Sequence, residues 1–341
     1  MGKVEQTINM FGKSLKLMVT KKDFIMVMEK LTNWYRDIAF TSYKEQMDIH
    51  KIRFRREFLM TAELIRGPVV EKAIRDEIIK EVHEIRERTG KHPGFSIILV
   101  GDNPVSRTSA ADKEKMAEEL GYYSVVNNFP ATITQEELIA VIGKYNNNKN
   151  IHAIRVQLPL PDYLDERRVI EAVDHHKEVD ALHPANMGNL ILGEEETYIP
   201  IAPLACFKLL QFINYDLNGK HAVVVGRSNI MGKPMSVLLL QQHATVTTCH
   251  SRTTNLSEIC RMADVLVVAI GRPQLVKKDW IKPGAVVIDV GLNRVGDRVL
   301  GDVDFEEVSQ KAAFITPPGD VGAMTDTMFM LNTLQSFKRN L

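Results

Sequence analysis

The stretch "VVVGRSNIMGKPM" (Val223–Met235) decides the fold, because it joins a β-type apolar run to a helix-type run through a glycine-bearing loop. The β-type run stops at Gly226, and Gly232 and Pro234 precede the apolar segment that follows. Proline suits the first position of a helix, where its missing N–H would have no partner in any case. Glycine lets a pyrophosphate approach a helix N-terminus closely. The stretch therefore predicts a strand, a nucleotide-binding loop and a helix.

The glycine spacing alone leaves a plain strand-to-helix turn open, because it is G-x-x-x-x-x-G rather than G-x-G-x-x-G. The next strand, "ATVTTCH", indicates which cofactor fits. A NAD site usually ends this strand in a carboxylate for the ribose 2′-OH, whereas Ser251 and Arg252 follow it here. Hydroxyl and guanidinium groups, which Ser228 and Arg227 also offer in the first loop, suit a 2′-phosphate. The pattern favours NADP, although Arg252 alone is equally consistent with a solvated loop arginine.

Strand-type and helix-type segments alternate on both sides of this loop. Toward the N-terminus, "GFSIILVGD" and "IHAIRVQLPLP" are predicted strands, and a helix between them begins with a capping box from Thr134 to Glu137. From near Cys206 onward, a second series of apolar strands comprises "HAVVVG", "ATVTTCH", "VLVVAIG" and "AVVIDVG". Evenly apolar strands are typical of the centre of a parallel sheet. The chain is predicted to be an α/β protein with two parallel-sheet domains.

Composition narrows the class of protein and its partners. The 341 residues carry 43 basic and 43 acidic side chains, and this balance favours neither nucleic acid nor a membrane as a partner. No apolar run approaches the roughly 18 residues that span a bilayer. Three scattered cysteines suit a reducing compartment and predict no metal site. The cytosol is the expected location, with the mitochondrion as the alternative, and residues 1–59 are expected to be an appended helical or disordered extension.

The stretch "GDNPVSRTSAADKEKMAEELG" (Gly101–Gly121) follows an apolar strand and is predicted to open a helix with Lys113 close to its start. The helix dipole disfavours an ammonium group there, so Lys113 is either a solvated lysine or one held for chemistry. Gln157 emerges at a strand end among prolines, and Asp180 lies in a turn-rich segment. Taken alone, Gln157 is equally well explained as an amide that hydrogen-bonds to loop backbone. Asp180 is equally well explained as an acid that caps a turn. The Pro/Gly-rich loop in Phe314–Met328 either lines a site or only turns the chain.

Several stretches in the same order resemble the bifunctional methylenetetrahydrofolate dehydrogenase/methenyltetrahydrofolate cyclohydrolase family over nearly all of Met60–Leu341. They are "VGDNP", "VQLPLP", "KEVDALHPANMG", "VVVGRSNIMGKP", "ATVTTCHSRT", "WIKPGAVVIDVGLNR" and "GDVDF". The resemblance implies a folate-side domain over 60–205, completed by 317–341, and a Rossmann-like NADP domain over 206–316, with a cleft between them. It implies oxidation of 5,10-methylenetetrahydrofolate, hydrolysis to 10-formyltetrahydrofolate, one-carbon metabolism that feeds purine biosynthesis, and a homodimer joined through the cofactor domain.

The resemblance also assigns roles to particular residues. Lys113 is the lysine central to both steps, Gln157 hydrogen-bonds to it, and Asp180 anchors the pteridine. Folate-binding positions are Ser109, Pro317 and Gly319. Cofactor-binding positions are Gly226, Arg227, Ser228, Ser251 and Leu292. Burial and the helix terminus lower the pKa of such a lysine, and a lysine shifted toward neutrality moves protons near pH 7.

The folate side departs from the family pattern, whereas the cofactor loop keeps it. Ser109 stands where the family has a tyrosine, and loss of that ring removes about 1–3 kcal/mol of contact. The loop Thr316–Thr325 is one residue shorter. The other departures are Ala110, Arg155, Ala181, Ala202, Ala205, Asp320 and Ala323. Two alternatives stay open: an inactive homologue that keeps the fold and an NADP- or partner-binding role, and an unrelated NADP oxidoreductase.

Overall fold

The computed structural model describes residues 62–341 in full and two backbone strands near the N-terminus. The chain divides into two units, Met1–Leu59 and Met60–Leu341. No helix in the described part of the chain is both long and apolar enough to cross a bilayer.

The N-terminal strands are β1 (Val4–Met10) and β2 (Lys13–Val19), which pair antiparallel. The expectation of a helical or disordered extension is wrong for these two segments. The sequence does carry a signal for β2, because the apolar residues Leu15, Leu17 and Val19 recur at the two-residue period of a strand. The remainder of the predicted extension lies outside the described residues.

The first part of the second unit is built around a three-stranded parallel sheet of order β5-β4-β6. The central strand β4 carries the apolar run "FSIILV", and every residue in it is buried. This burial on both faces is what a central parallel strand requires. The elements in chain order are β3 (Glu63–Leu64), α1 (Gly67–Thr89), β4 (Gly94–Val100), α2 (Pro104–Leu120), β5 (Tyr123–Phe129), α3 (Gln135–Asn146), β6 (Ala153–Val156), α4 (Glu166–Ala172), α5 (Pro184–Leu192) and α6 (Ile201–Phe212).

The second part is a six-stranded parallel sheet of order β3-β13-β10-β9-β7-β8, with an antiparallel hairpin β11–β12 beside it. Its elements are β7 (His221–Val225), α7 (Gly232–Gln241), β8 (Thr245–Cys249), α8 (Leu256–Arg261), β9 (Val265–Val268), β10 (Val286–Asp289), β11 (Asn293–Val295), β12 (Arg298–Leu300), α9 (Phe305–Val308), β13 (Phe314–Ile315), α10 (Asp320–Ala323) and α11 (Thr325–Lys338). The α/β class with two parallel sheets is therefore confirmed.

Two details of the chain path differ from the expected division. The short strand β3 precedes the first sheet in sequence but pairs with β13 of the second sheet. The expected boundary between residues 205 and 206 lies inside α6, which is one continuous helix. A two-residue strand and an uninterrupted helix leave no compositional break, so the sequence gives no signal for either detail.

The last helix, α11, packs into the first part of the unit rather than the second. The ring of Phe329 meets Phe95 of β4 edge to face, with 5.2 Å between centroids. The side-chain amide of Asn332 donates to the carbonyl of Val179 at 2.7 Å. The hydroxyl of Ser336 donates to the carbonyl of His152. The helix thereby brings its own first turn close to α2 and β6.

Candidate active site

Lys113 lies in the middle of α2, not at its start. The helix begins at Pro104, and the N-cap Asn103 side chain accepts hydrogen bonds from the backbone N–H groups of Val105 and Ser106. The sequence-based placement near the helix start is therefore wrong, because the helix begins at the "NP" pair. The helix dipole is confined to the first and last turns, so it does not act on this amine. The pKa of Lys113 is nevertheless lowered, chiefly by burial and then by the charge of Arg155.

The Lys113 ammonium group is enclosed and fully hydrogen-bonded. Its side chain is 2 % exposed. Its Nζ lies 2.9 Å from the Ser109 hydroxyl oxygen, 3.3 Å from the Ser109 carbonyl oxygen and 2.5 Å from Oδ1 of Asp326. These three acceptors match the three donors of an ammonium group. The prediction that Ser109 and Lys113 lie one turn apart on the same face of the helix is confirmed.

Asp326 is the site residue that the sequence reasoning missed. It stands in the first turn of α11, more than two hundred positions after Lys113 in the chain. Its contact with Lys113 depends on how α11 packs against α2. The only sequence signal was an acid in the opening turn of a helix, where acids are common for dipole reasons alone.

Arg155 and Asp180 form a second ion pair in the same region. Nη1 of Arg155 lies 3.1 Å from Oδ1 of Asp180. The guanidinium carbon also lies 5.4 Å from the centre of the Phe329 ring, within the range of a cation–π contact. Both Arg155 and Asp180 act on the pKa of Lys113, the first lowering it and the second raising it. Lys113 and Asp180 are thus near enough for their charges to interact, as expected, and Arg155 acts on both.

The segment that carries Asp180 is held by a buried acid. Glu178 accepts hydrogen bonds from the backbone N–H groups of Leu182 and His183, both at 2.8 Å. Burial, followed by the charge of Asp180, raises the pKa of Glu178 to about 7. Ala181 adopts a left-handed backbone conformation with φ of 58°. Such strain at a non-glycine residue is typical of functional segments whose shape is fixed by their surroundings.

Gln157 lies at the end of β6 and has an unsatisfied side chain. Its Nε2 donates to the carbonyl of Leu158 at 3.3 Å. Its Oε1 is buried and has no hydrogen-bond donor. The hydrogen bond expected between Gln157 and Lys113 is not formed, because Ser109 and Asp326 take the three lysine donors. A buried acceptor without a protein partner is the kind of atom that a ligand N–H satisfies.

The shortened loop lies between the predicted folate and cofactor positions. Gly319 has φ of 84°, and a side chain there would come within 3.4 Å of Leu292 Cδ1. The expected folate residue Gly319 and the expected cofactor residue Leu292 are therefore neighbours. Pro317 opens the same loop, and its carbonyl accepts from the backbone N–H of Asp320 at 3.2 Å. The loop is thus a meeting point for the two halves of the site.

Asp320 ties this loop to α1. Its Oδ2 accepts from the backbone N–H of Gly67 at 2.9 Å and lies 3.3 Å from Nε of Arg66. A Cβ at Gly67 would come 2.1 Å from the carbonyl oxygen of Asp320. The first N–H groups of a helix have no intrahelical partner, so the Asp320 carboxylate supplies one. Asp320 therefore has a local structural explanation.

The glycine loop after β7 has the geometry expected of a phosphate cradle. A Cβ at Gly232 would lie 2.1 Å from the carbonyl oxygen of Gly226, and a Cβ at Gly226 would lie 2.4 Å from that of Ala269. Only glycine fits where backbone approaches backbone this closely. The helix α7 begins at Gly232, so Pro234 is its third residue rather than its first. The N-terminus of this helix follows the glycine loop directly, which is the arrangement that binds phosphate groups in dinucleotide sites.

The residues predicted to read the 2′-phosphate lie at one edge of the second sheet. Strands β7 and β8 are parallel neighbours, and Val225 is opposite Cys249. Arg227 and Ser228 follow β7, Ser251 follows β8, and all three are exposed. Parallel strands end at the same edge of a sheet, which places these side chains close together. They fit NADP by the chemistry of their donors.

One group of possible metal ligands occurs within residues 62–341. The ligand atoms of Asp174, His175 and His176 lie within 4.8 Å of one another. The Asp174 carboxylate accepts from the backbone N–H of His176 at 3.0 Å, and the ring Nδ1 of His176 lies 3.0 Å from the same oxygen. A hydrogen-bonded turn accounts for this cluster. The expectation that the protein uses no metal stays a prediction.

The two sheets, the glycine loop and the enclosed lysine define a two-domain α/β protein with a dinucleotide-type cofactor domain. Comparison with known families agrees. Residues 65–180 match the model described as "Tetrahydrofolate dehydrogenase/cyclohydrolase, catalytic domain", and residues 200–341 match "Tetrahydrofolate dehydrogenase/cyclohydrolase, NAD(P)-binding domain". The bifunctional protein FolD of Halalkalibacterium halodurans is 48% identical over 280 residues, which cover 82% of this chain and 100% of that protein.

Solved structures show the same likeness. The bifunctional FolD methylenetetrahydrofolate dehydrogenase/cyclohydrolase of Campylobacter jejuni superposes with a TM-score of 0.80 at 42% identity, covering 82% of this chain and all of that one. The Trypanosoma brucei enzyme, solved with NADP cofactor and inhibitor, gives a TM-score of 0.77 at 39% identity, covering 82% of this chain and 98% of that one. The chain belongs to the tetrahydrofolate dehydrogenase/cyclohydrolase family.

Proposed function

We propose that the chain oxidises 5,10-methylenetetrahydrofolate with NADP and hydrolyses the resulting methenyl compound to 10-formyltetrahydrofolate. The observation that carries the proposal is the enclosed amine of Lys113, which is 2 % exposed and has its pKa lowered by burial. A lowered pKa makes the neutral, proton-accepting form of a lysine more accessible. Relatives of 48% identity are named bifunctional protein FolD, and the family models cover both halves of the site.

The folate side of the reaction uses three groups of this chain. Asp180, whose carboxylate already binds a guanidinium, accepts hydrogen bonds from the amino-pyrimidine edge of the pterin, which presents N–H donors in a similar planar array. The buried Oε1 of Gln157 accepts from the substrate or from a repositioned Lys113. In the hydrolytic step, neutral Lys113 takes a proton from the attacking water. Because the Lys113 side chain is buried, bulk water does not compete with the attacking water for the amine.

The cofactor side has the shape to hold NADP. Gly226 and Gly232 let the loop fold tightly onto neighbouring backbone, and the helix that begins at Gly232 would direct its first N–H groups toward a pyrophosphate. Arg227, Ser228 and Ser251 would hold the 2′-phosphate. When bound, NADP supplies the hydride acceptor. Leu292, next to Gly319, is exposed and would contact the bound cofactor.

An active enzyme is preferred to the inactive alternative because the chemically essential residues Lys113, Gln157 and Asp180 are all retained. Ser109 keeps a hydroxyl on Lys113 at 2.9 Å, although the family ring is absent. The similar FolD proteins of Halalkalibacterium halodurans and Campylobacter jejuni are named as bifunctional. The altered residues are therefore better explained by an active site with changed substrate contacts than by an inactive site.

A coupled assay tests the proposal. The full chain is mixed with 5,10-methylenetetrahydrofolate and NADP, and both reduced cofactor and methenyl intermediate are followed by absorbance. We expect reduced cofactor to form and the methenyl signal to decay faster than without protein. Lys113→Met is the matched variant, because it keeps the length of the side chain and removes the amine. NADP binding by calorimetry without turnover of the unmodified chain would overturn the proposal and favour the inactive alternative.

The cellular setting is also part of the proposal. The formyl product suits a role in supplying one-carbon units, including those for purine biosynthesis. Cys206, Cys249 and Cys260 are all buried free thiols, which supports a reducing compartment such as the cytosol, with the mitochondrion as the alternative. Strand β8 is an edge strand of the second sheet within residues 62–341. An exposed edge supports a homodimer formed through the cofactor domain.

A further inference from the structure

The pair of Lys113 and Asp326 joins a buried group to a partly exposed one. The Lys113 side chain is 2 % exposed, that of Asp326 is 27 % exposed, and 2.5 Å separates Nζ from Oδ1. The other hydrogen-bond acceptors of Lys113 in the described structure are the hydroxyl and carbonyl oxygens of Ser109. Neither of these is a base at neutral pH. Asp326 is therefore the contact of Lys113 that can accept its proton and also face solvent.

A proton taken up by Lys113 must leave before the next turnover. In the hydrolytic step, the water oxygen bonds to the methenyl carbon and one of its protons passes to the neutral amine. The second proton stays on oxygen until the bond between that carbon and N5 breaks, and it then moves to N5. The reaction thus leaves one extra proton on Lys113 for each formyl product. The enclosed amine has no direct contact with bulk water to which it could release this proton.

We propose that Asp326 is the proton relay between Lys113 and solvent. The inference rests on the proposed function and adds a residue and a route to it. The ammonium group of Lys113 gives its proton to the Asp326 carboxylate, which regenerates the amine and forms a carboxylic acid. The acid then loses the proton to water on its exposed side. No oxidant, reductant or further reactant is needed.

Three charged groups face the Lys113 amine, and they act in different directions. Arg155 from β6 lowers the pKa of Lys113, whereas Asp326 from α11 and Asp180 raise it. Arg155 and Asp180 bind each other at 3.1 Å, so Asp180 is already engaged. Asp326 has no other ion-pair partner within residues 62–341. This leaves Asp326 as the acid committed to the amine.

The test compares Asp326→Asn with the unmodified chain in the hydrolysis of supplied methenyltetrahydrofolate. Asparagine keeps the shape and an oxygen for the lysine but cannot carry the proton. We expect the hydrolysis rate at neutral pH in dilute buffer to fall at least tenfold, and to recover in proportion to added imidazole. Asp326→Glu is expected to keep most of the rate.

A control variant with the same kind of ion pair separates the relay from a general loss of charge. Asp264 lies 2.6 Å from Lys282 and its side chain is 26 % exposed, but it lies just before β9 of the second sheet. Asp264→Asn is expected to show neither the loss nor the imidazole effect. Thermal unfolding of each variant checks that it is folded.

Two outcomes would overturn the relay alone. One is a rate in Asp326→Asn equal to that of the unmodified chain. The other is a slowed rate in Asp326→Asn that added imidazole does not change, together with an equally slow rate in Asp326→Glu. That result would make Asp326 a structural partner of Lys113. An unmodified chain that fails to turn over either substrate would overturn the proposed function, and the relay with it.

Discussion

The guanidinium group of Arg155 lies 3.1 Å from the carboxylate of Asp180, and it presents to that carboxylate the same kind of planar N–H donors as the amino-pyrimidine edge of a pterin. In the proposed function, Asp180 anchors the pterin. Arg155 therefore competes with the substrate for the Asp180 carboxylate. Its cation–π contact with Phe329 holds it in this position.

Arg155→Met should strengthen substrate binding. Methionine preserves much of the packing on Phe329 and removes the competing donors. We expect the KM for 5,10-methylenetetrahydrofolate to fall about tenfold, the equivalent of 1.4 kcal/mol, with a smaller change in kcat. Steady-state kinetics measure this, and Arg155→Lys, which keeps a cation, should lie between the two. An increase in KM would show that Arg155 helps to bind the substrate.

The same variant should shift the pH dependence of hydrolysis. The positive charge of Arg155 lowers the pKa of Lys113, so its removal lets that pKa rise. The hydrolytic step needs the neutral amine, and the neutral form then appears only at higher pH. We expect the rising limb of the pH–rate profile to move to higher pH in Arg155→Met. A limb that stays in place would mean that another group controls it.

Ser109→Tyr tests whether the missing ring limits the rate. Ser109 is half-buried and its hydroxyl accepts from Lys113 at 2.9 Å. A tyrosine restores a stacking surface worth about 1–3 kcal/mol, and we expect kcat/KM for the folate substrate to rise about tenfold. Ser109→Phe is the control that adds the ring without the hydroxyl. If neither variant gains activity, the shortened loop rather than the ring limits the site.

Asp320→Ala should destabilise the protein through the start of α1. It removes the acceptor for the Gly67 N–H at 2.9 Å and the ion pair with Arg66. Loss of a comparable helix cap costs about 1–2 kcal/mol, and we expect that decrease in the free energy of unfolding by urea. Asp320→Asn keeps an acceptor oxygen and should lose less. Equal stability of all three proteins would contradict this structural role of Asp320.

His152 should make the protein less stable as the pH falls. Its Nδ1 accepts a hydrogen bond from the backbone N–H of Gly94 at 3.0 Å, and burial lowers its pKa to about 4. The unfolded chain takes up the proton near pH 6.5, so the stabilisation is complete above that pH and is lost as the pH falls toward 4. This group alone should lower the free energy of unfolding by about 2 kcal/mol between pH 7 and pH 5.

The contribution of His152 is isolated by subtraction. Asp289, whose pKa burial raises to about 7, titrates in the same range with the opposite effect on stability. The difference between the unmodified chain and His152→Asn cancels that background. Asparagine can accept from Gly94 without titrating. A difference in stability that does not change between pH 7 and pH 5 would contradict the assignment.

The sequence predicted the sheets and the cofactor loop because their signals are local. Apolar runs ending in glycine identify β7 and β9, and Gly226 and Gly232 lie where backbone meets backbone. The capping box of Thr134 and Glu137 is confirmed for the same reason. The prediction that Lys113 lies close to the start of α2 is wrong, because Asn103 and Pro104 begin the helix well before it.

The rest of the site depends on contacts between residues far apart in the chain. Asp326 reaches Lys113 only because α11 returns to the first sheet. Arg155 was noted as an unusual charge in a strand, but its partner Asp180 could not be deduced from spacing. Neither helix packing nor the direction of a long side chain is encoded in a local pattern.

Deuterium transfer is the measurement that tests the central claim most directly. The chain is incubated with NADP and 5,10-methylenetetrahydrofolate carrying two deuterium atoms on the bridging carbon, and both products are analysed by mass spectrometry. We expect one deuterium on the reduced cofactor and one retained on the formyl group of 10-formyltetrahydrofolate. Absence of labelled reduced cofactor, when calorimetry shows that both ligands bind, would contradict it.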